Sequence, residues 1–128
     1  MPGGEFDLIR RHFERPGCTD QNQVLLGIGD DCALLRVASG MQLAVSSDML
    51  VEGRHFFPGT DPVRLGHKAL AVNLSDLAAM GARPLAFTLA LALPEVDDTW
   101  LAGLASGLHA LAHEHGCPLV GGDTTRGP

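Results

Sequence analysis

The sequence contains a single lysine, Lys68, in 128 residues. A Walker-type phosphate loop needs a lysine behind its glycines, in the pattern G-x-x-x-x-G-K-[ST], and the chain has no such pattern. No apolar run is long and uncharged enough to span a bilayer, so a membrane is not an expected partner. The stretch Met1-Pro2-Gly3-Gly4-Glu5-Phe6-Asp7 lacks the basic and apolar regions of a signal peptide. Cysteine is scarce. Cys18, Cys32 and Cys117 are odd in number and widely spaced, which indicates neither a disulfide framework nor a zinc ribbon. A reducing cytoplasm is the simplest compartment. The formal net charge of −6 argues against a nucleic-acid backbone as partner. There is no internal repeat and no low-complexity segment. The length suits one domain with a modest core.

What is present is a series of helix and strand patterns punctuated by glycine and acid. Apolar spacing predicts a helix over 5–14, with Phe6, Ile9 and Phe13 on one face. Residues 19–23 read as a polar connection. Strands are expected at 32–37 and 42–48, joined through Ser39-Gly40 as a hairpin. In the second strand Ala44, Ser46 and Asp48 share one side, and Leu43, Val45 and Ser47 the other. Residues 48–60 form a loop that mixes Glu52, Arg54 and His55 with Phe56 and Phe57. Such loops often touch ligands, although two buried phenylalanines would also explain the pair. Asp61-Pro62 opens a helix that stops at Gly81. Leu65, Ala69, Val72 and Met80 fall on one face with Asp76 near its centre. Residues 85–93 read as a strand buried on both faces. A third helix is capped at Asp97-Asp98-Thr99 and ends before Gly116, with Leu101, Leu104, Leu108 and Leu111 as its core stripe. His109 and His113 have metal-like spacing but no third ligand, and read as surface residues. A short strand at 118–120 runs into a glycine turn at Gly121-Gly122. The expected fold is α+β, a small mixed sheet with helices on one face.

The acids are the chemical signal. Gly27-Ile28-Gly29-Asp30-Asp31 places two adjacent carboxylates where a turn enters a strand. Taken alone this is either an acidic turn facing solvent or a cation site. Asp48, Asp76 and Asp123 stand at a strand end or in an apolar helical arc, where a charge needs a partner. Carboxylates converging at a sheet edge suit a hard divalent cation such as Mg²⁺, which favours a few acids together with waters and substrate phosphates. The glycine turns would admit phosphate oxygens to backbone N–H groups. Spacing does not by itself establish the convergence.

Taken together, four segments resemble the thiamine-phosphate kinases of the aminoimidazole ribonucleotide synthetase superfamily. They are Gly27-Ile28-Gly29-Asp30-Asp31-Cys32-Ala33, Ser46-Ser47-Asp48-Met49-Leu50-Val51-Glu52-Gly53-Arg54-His55-Phe56, Ala71-Val72-Asn73-Leu74-Ser75-Asp76-Leu77-Ala78-Ala79-Met80-Gly81, and Gly121-Gly122-Asp123-Thr124-Thr125. The resemblance implies phosphoryl transfer from ATP to thiamine monophosphate, with Mg²⁺ between the acids and the phosphates. By motif, Asp31, Ser46, Ser47, Asp48, Asp76 and Asp123 would be metal ligands, with Asp30 as a further candidate. His55 would contact the thiamine phosphate. Gly122 and Asp123 would belong to the ATP site. Where the family often has threonine this chain has Ser47, which keeps the hydroxyl.

The resemblance further implies a homodimer formed through the sheet, with the active site near the interface. Residues 1–128 would be the N-terminal ATP- and Mg-binding domain, and a C-terminal domain would be absent from this chain. Two alternatives stay open. One is another ATP-dependent enzyme of the same superfamily, against which the loop Val51-Glu52-Gly53-Arg54-His55-Phe56 argues. The other is a non-catalytic dimerisation module.

Overall fold

The structure is a computed structural model that describes residues 5–14, 23–29 and 31–128, apart from the side chains of Glu5 and Phe6. Cys18, Asp30 and most of the polar connection over 19–23 lie outside the described residues. In chain order the elements are α1 (Glu5–His12), β1 (Val24–Leu26), β2 (Leu34–Leu35), α2 (Pro62–Ala79), β3 (Phe87–Leu93), α3 (Asp98–Glu114) and β4 (Leu119–Arg126). The α+β class and the three helices match the sequence expectation.

α3 is the centre of the core. Leu101, Leu104, Leu108 and Leu111 are buried as their spacing requires, and Ala105 and Ala112 join them. Asp97 caps the helix by accepting from the Trp100 N–H at 3.1 Å. At Gly66 and Gly107 the main chain of α2 lies directly against that of α3. An ideal Cβ on Gly66 would stand 2.1 Å from the Leu104 carbonyl oxygen, and one on Gly107 would stand 1.9 Å from that of Val63. Only glycine permits main chains to come so close. α2 begins at Pro62 behind the Asp61 cap, whose side chain accepts from the Val63 N–H at 3.1 Å.

The buried face of α2 is Leu65, Gly66 and Leu70, not the arc centred on Asp76. Asp76 is exposed, and Met80 at the helix end is 79 % exposed. The arc fails because α3 crosses the N-terminal half of α2, through Val63, Gly66 and Gly107. His109 is also half-buried rather than on the surface, with its ring 6.5 Å from that of Phe13. Leu8, which the sequence pattern passed over, is the buried anchor of α1. Cys117 is buried as well, and burial pushes its thiol up to about 11, so it is a neutral core residue.

The strands depart most from expectation. The hairpin between 32–37 and 42–48 does not form. β2 is only Leu34–Leu35, and it pairs antiparallel with β1, a strand the sequence reading missed. Residues 42–50 make no main-chain hydrogen bond among the described residues. Val45 is 83 % and Met49 80 % exposed there, so no packing favours the expected strand. β3 and β4 pair in parallel through the α3 crossover. β3 alternates: Phe87, Leu89, Leu91 and Leu93 face the core, while Thr88, Ala90 and Ala92 face out. The expectation of burial on both faces is therefore half met. β4 runs straight through Gly121-Gly122, where a turn was expected. Gly122 has φ +147°, and a Cβ there would be 1.8 Å from the Leu89 carbonyl oxygen. This glycine lets β4 close on β3 where a side chain could not.

Gly107→Ala should cost roughly 2 kcal/mol or more, because the overpacking outweighs the ~1 kcal/mol helix preference of alanine. Gly103→Ala should cost less, since its Cβ would meet the Pro62 ring at 2.8 Å rather than main chain. Denaturant unfolding of both variants checks the order.

α1 is tied to the first turn of α3 by charge. Arg11 reaches Asp98 at 3.0 Å and His12 reaches it at 3.1 Å. The His12 hydrogen bond, with the neighbouring Arg11 charge, holds the Asp98 carboxyl below its usual 3.8. A depressed carboxylate stabilises the fold above its unfolded pKa and loses that contribution as pH falls through the folded value. Asp98→Asn should therefore lower the melting temperature slightly at pH 6, with the gap closing below the ordinary carboxylate value. Melting curves against pH measure it.

Candidate functional site

The loop after the unpaired segment is built from its own main chain. Gly53 N–H bonds the Phe56 carbonyl at 2.7 Å, and Arg54 N–H and His55 N–H both bond the Val51 carbonyl, at 3.0 and 2.8 Å. Gly53 has φ +81°, a conformation that favours glycine in so tight a turn. Val51 N–H donates to His55 Nδ1 at 2.9 Å. Lys68 Nζ, from α2, donates to the His55 carbonyl oxygen. Thr60 Oγ closes the far end on the Phe57 carbonyl at 2.6 Å.

Between this loop and α2 lies a cleft of about 340 Å³, lined by Arg54, His55, Phe57, Arg64 and Lys68 among others. Its cations suit an anion, and its aromatic wall suits a planar group. Phe56 packs against the core, but Phe57 is 84 % exposed. The explanation of the pair as two buried anchors therefore holds for Phe56 alone. The sequence reading did not include Arg64 and Lys68 in the site. Their i, i+4 spacing in the first turns of α2, directly after the loop, is the signal that could have found them.

The acids are placed differently. Asp31 follows the Gly29 turn, whose φ is +115°, and is exposed ahead of β2. Ser46, Ser47 and Asp48 are exposed on the unpaired segment. Asp76 is exposed on the C-terminal half of α2. Asp123 is exposed within β4, in register with Ala90, rather than at a strand end. Two of these segments are joined where Ser46 Oγ donates to Asn73 Oδ1 at 3.4 Å. Asn73 Nδ2 donates to the Ala69 carbonyl at 3.1 Å, which turns its oxygen toward Ser46. Asp76 lies one turn further along the same helix.

No three Asp, Glu, His or Cys residues gather closely enough to hold a metal ion among the described residues. The convergence expected for Asp31, Asp48, Asp76 and Asp123 is thus not assembled here, and Asp30 lies outside the described residues. The physical reason is that like charges separate unless something holds them. Two of their carriers, the unpaired segment and the open face of β3 and β4, are not packed on each other. The donor set, carboxylate and hydroxyl oxygen, has the chemistry of a Mg²⁺ site, but the arrangement does not yet fit one.

Known proteins resemble the chain along its whole length. The thiamine-monophosphate kinase of Salmonella typhimurium is 56 % identical over 128 residues, which is all of this chain and 39 % of that protein. The protein of the same name from Methanocaldococcus jannaschii is 38 % identical over 106 residues, covering 81 % of this chain and 33 % of the other. The crystal structure of thiamine-monophosphate kinase from Stenotrophomonas maltophilia K279a superposes with a TM-score of 0.79 at 53 % identity, covering 85 % of this chain and 34 % of that one. The chain spans about two fifths of the length of the first of these relatives. The family model for AIR synthase related protein, N-terminal domain, matches residues 29–128, from the Gly29 turn to the end of β4 and beyond, and the chain belongs to that family.

Proposed function

We propose that this chain is the N-terminal, nucleotide- and Mg²⁺-binding domain of an enzyme that phosphorylates thiamine monophosphate with ATP to give thiamine diphosphate. The observation that carries this is the 56 % identity, over all 128 residues, with a protein named thiamine-monophosphate kinase. The cleft beside His55 agrees with it in chemistry, since its cations suit a phosphate and Phe57 suits an aromatic ring. In this reading His55 contacts the thiamine phosphate, and Gly122 and Asp123 lie at the ATP. Once gathered, Asp31, Ser46, Ser47, Asp48, Asp76 and Asp123, with Asp30 as a further candidate, would hold Mg²⁺. That ion would neutralise charge on the phosphoryl oxygens. The part of the chain is to present oxygen donors and to orient the acceptor, because phosphoryl transfer depends chiefly on positioning. A cytoplasmic location goes with the reading, and no helix among the described residues is long and apolar enough to cross a membrane.

The same reading includes a homodimer. Thr88, Ala90 and Ala92 leave one face of a parallel sheet bare, and Leu43, Val45 and Met49 are exposed beside unpaired main chain. Parallel sheets normally have both faces covered, and a second copy would cover this one. Light scattering of the full-length protein at micromolar concentration should give twice the chain mass. A monomer at that concentration removes the dimer from the reading.

The direct test is incubation of the full-length protein with Mg-ATP and thiamine monophosphate, assayed for thiamine diphosphate. Product is expected, with a rate that falls about 100-fold or more in Asp48→Asn. The 128-residue chain alone should not turn over. No product from the full-length protein overturns the reading.

A further inference from the structure

We propose that Lys68 is a positioning residue which, together with the Val51 amide, sets His55 as a neutral hydrogen-bond donor toward the cleft. Three contacts converge on His55. Its own N–H bonds the Val51 carbonyl at 2.8 Å, its Nδ1 accepts from Val51 N–H at 2.9 Å, and its carbonyl oxygen accepts from Lys68 Nζ. An amide N–H pointing at Nδ1 requires a lone pair there. A neutral imidazole that accepts at Nδ1 carries its proton on Nε2. The ring therefore offers a ligand an N–H, suited to a phosphate oxygen or another acceptor, and contributes no charge of its own. Charge in the cleft comes instead from Arg54, Arg64 and Lys68.

Lys68 makes the arrangement rigid. An ammonium–carbonyl bond is charge-assisted and stronger than a neutral one. Its base is α2, fixed by the Asp61 cap and by main-chain contact with α3. Apart from the Phe56 ring packed against the core, the loop is held at His55 by bonds local to residues 51–56. With the lysine removed, the main chain at His55 loses its tie to α2, the geometry between Nδ1 and the Val51 amide loosens, and the imidazole samples both tautomers. Lys68 thus acts through His55 and is not required to touch the ligand.

The test uses the full-length protein with ¹⁵N-labelled histidine, as wild type, Lys68→Met and Lys68→Arg. In the wild type His55 should show an unprotonated Nδ1 and a protonated Nε2. In Lys68→Met both nitrogens should move to the averaged values of exchanging tautomers, and Lys68→Arg should restore the wild-type pattern. This readout needs no activity. The second readout rests on the proposed function: in Lys68→Met the KM for thiamine monophosphate should rise about tenfold, with kcat and the KM for ATP unchanged. A protonated Nδ1 in the wild type, or unmoved nitrogens in Lys68→Met, overturns the inference. A wild type with the expected nitrogens but no kinase activity overturns the function and supports the inference.

Discussion

The contact on which the rest depends is main chain against main chain, at Gly66 and Gly107. Where α2 meets α3 there is no room for a Cβ on either glycine. The consequence reaches both ends of α2. Because Leu65, Gly66 and Leu70 are turned into α3, Arg64 and Lys68 are turned out to meet the 51–60 loop. The same rotation leaves Asp76 in solvent and presents Asn73 to Ser46. α3 in turn is the crossover between β3 and β4, so the strand carrying Asp123 is set by the same packing. A side chain inserted at this contact would move the cleft and the acids together.

The helices were legible because their signals are local. Caps at Asp61 and Asp97 and the leucine stripe of α3 each act within one or two turns, and each is where its spacing puts it. The strands were not legible, because pairing is a tertiary decision. Residues 42–48 alternate as a strand should, yet alternation specifies a face and not a neighbour. Val24–Leu26, too short to alternate, took β2 instead. Gly121-Gly122 read as a turn because glycine usually breaks a strand; here it permits one, since Leu89 main chain fills the space a side chain would need. The misplaced arc on α2 has a related cause. Apolar spacing shows that a helix is amphipathic, but its partner decides which stretch is buried.

The candidate site divides along the same line. Its finished half, from Val51 to Lys68, is assembled from hydrogen bonds at most 13 residues apart in a continuous stretch of sequence. Those hydrogen bonds form within the chain and need no other body. The unfinished half draws its acids from three remote segments besides α2, and the Ser46–Asn73 contact ties one of them to that helix. Local bonds can hold a neutral histidine and a lysine in place, but they cannot hold several carboxylates together against their repulsion.

Closing that half needs two things at once: a surface to order residues 42–50, and positive charge among the acids. The chain's one lysine is committed to His55, and Arg54 and Arg64 line the cleft, which leaves Arg36 and Arg126 as the cations nearest Asp31 and Asp123 in sequence. The first is lacking, since Val45 and Met49 point into solvent and the outward face of β3 is bare. Order and charge are coupled here. Residues 46–48 carry both the exposed main chain and the donors, so whatever pairs with that segment also fixes Ser46, Ser47 and Asp48 relative to Asp76. In the proposed reading, covering the sheet and gathering the acids would be one event on one segment, while the cleft beside His55 is built without it.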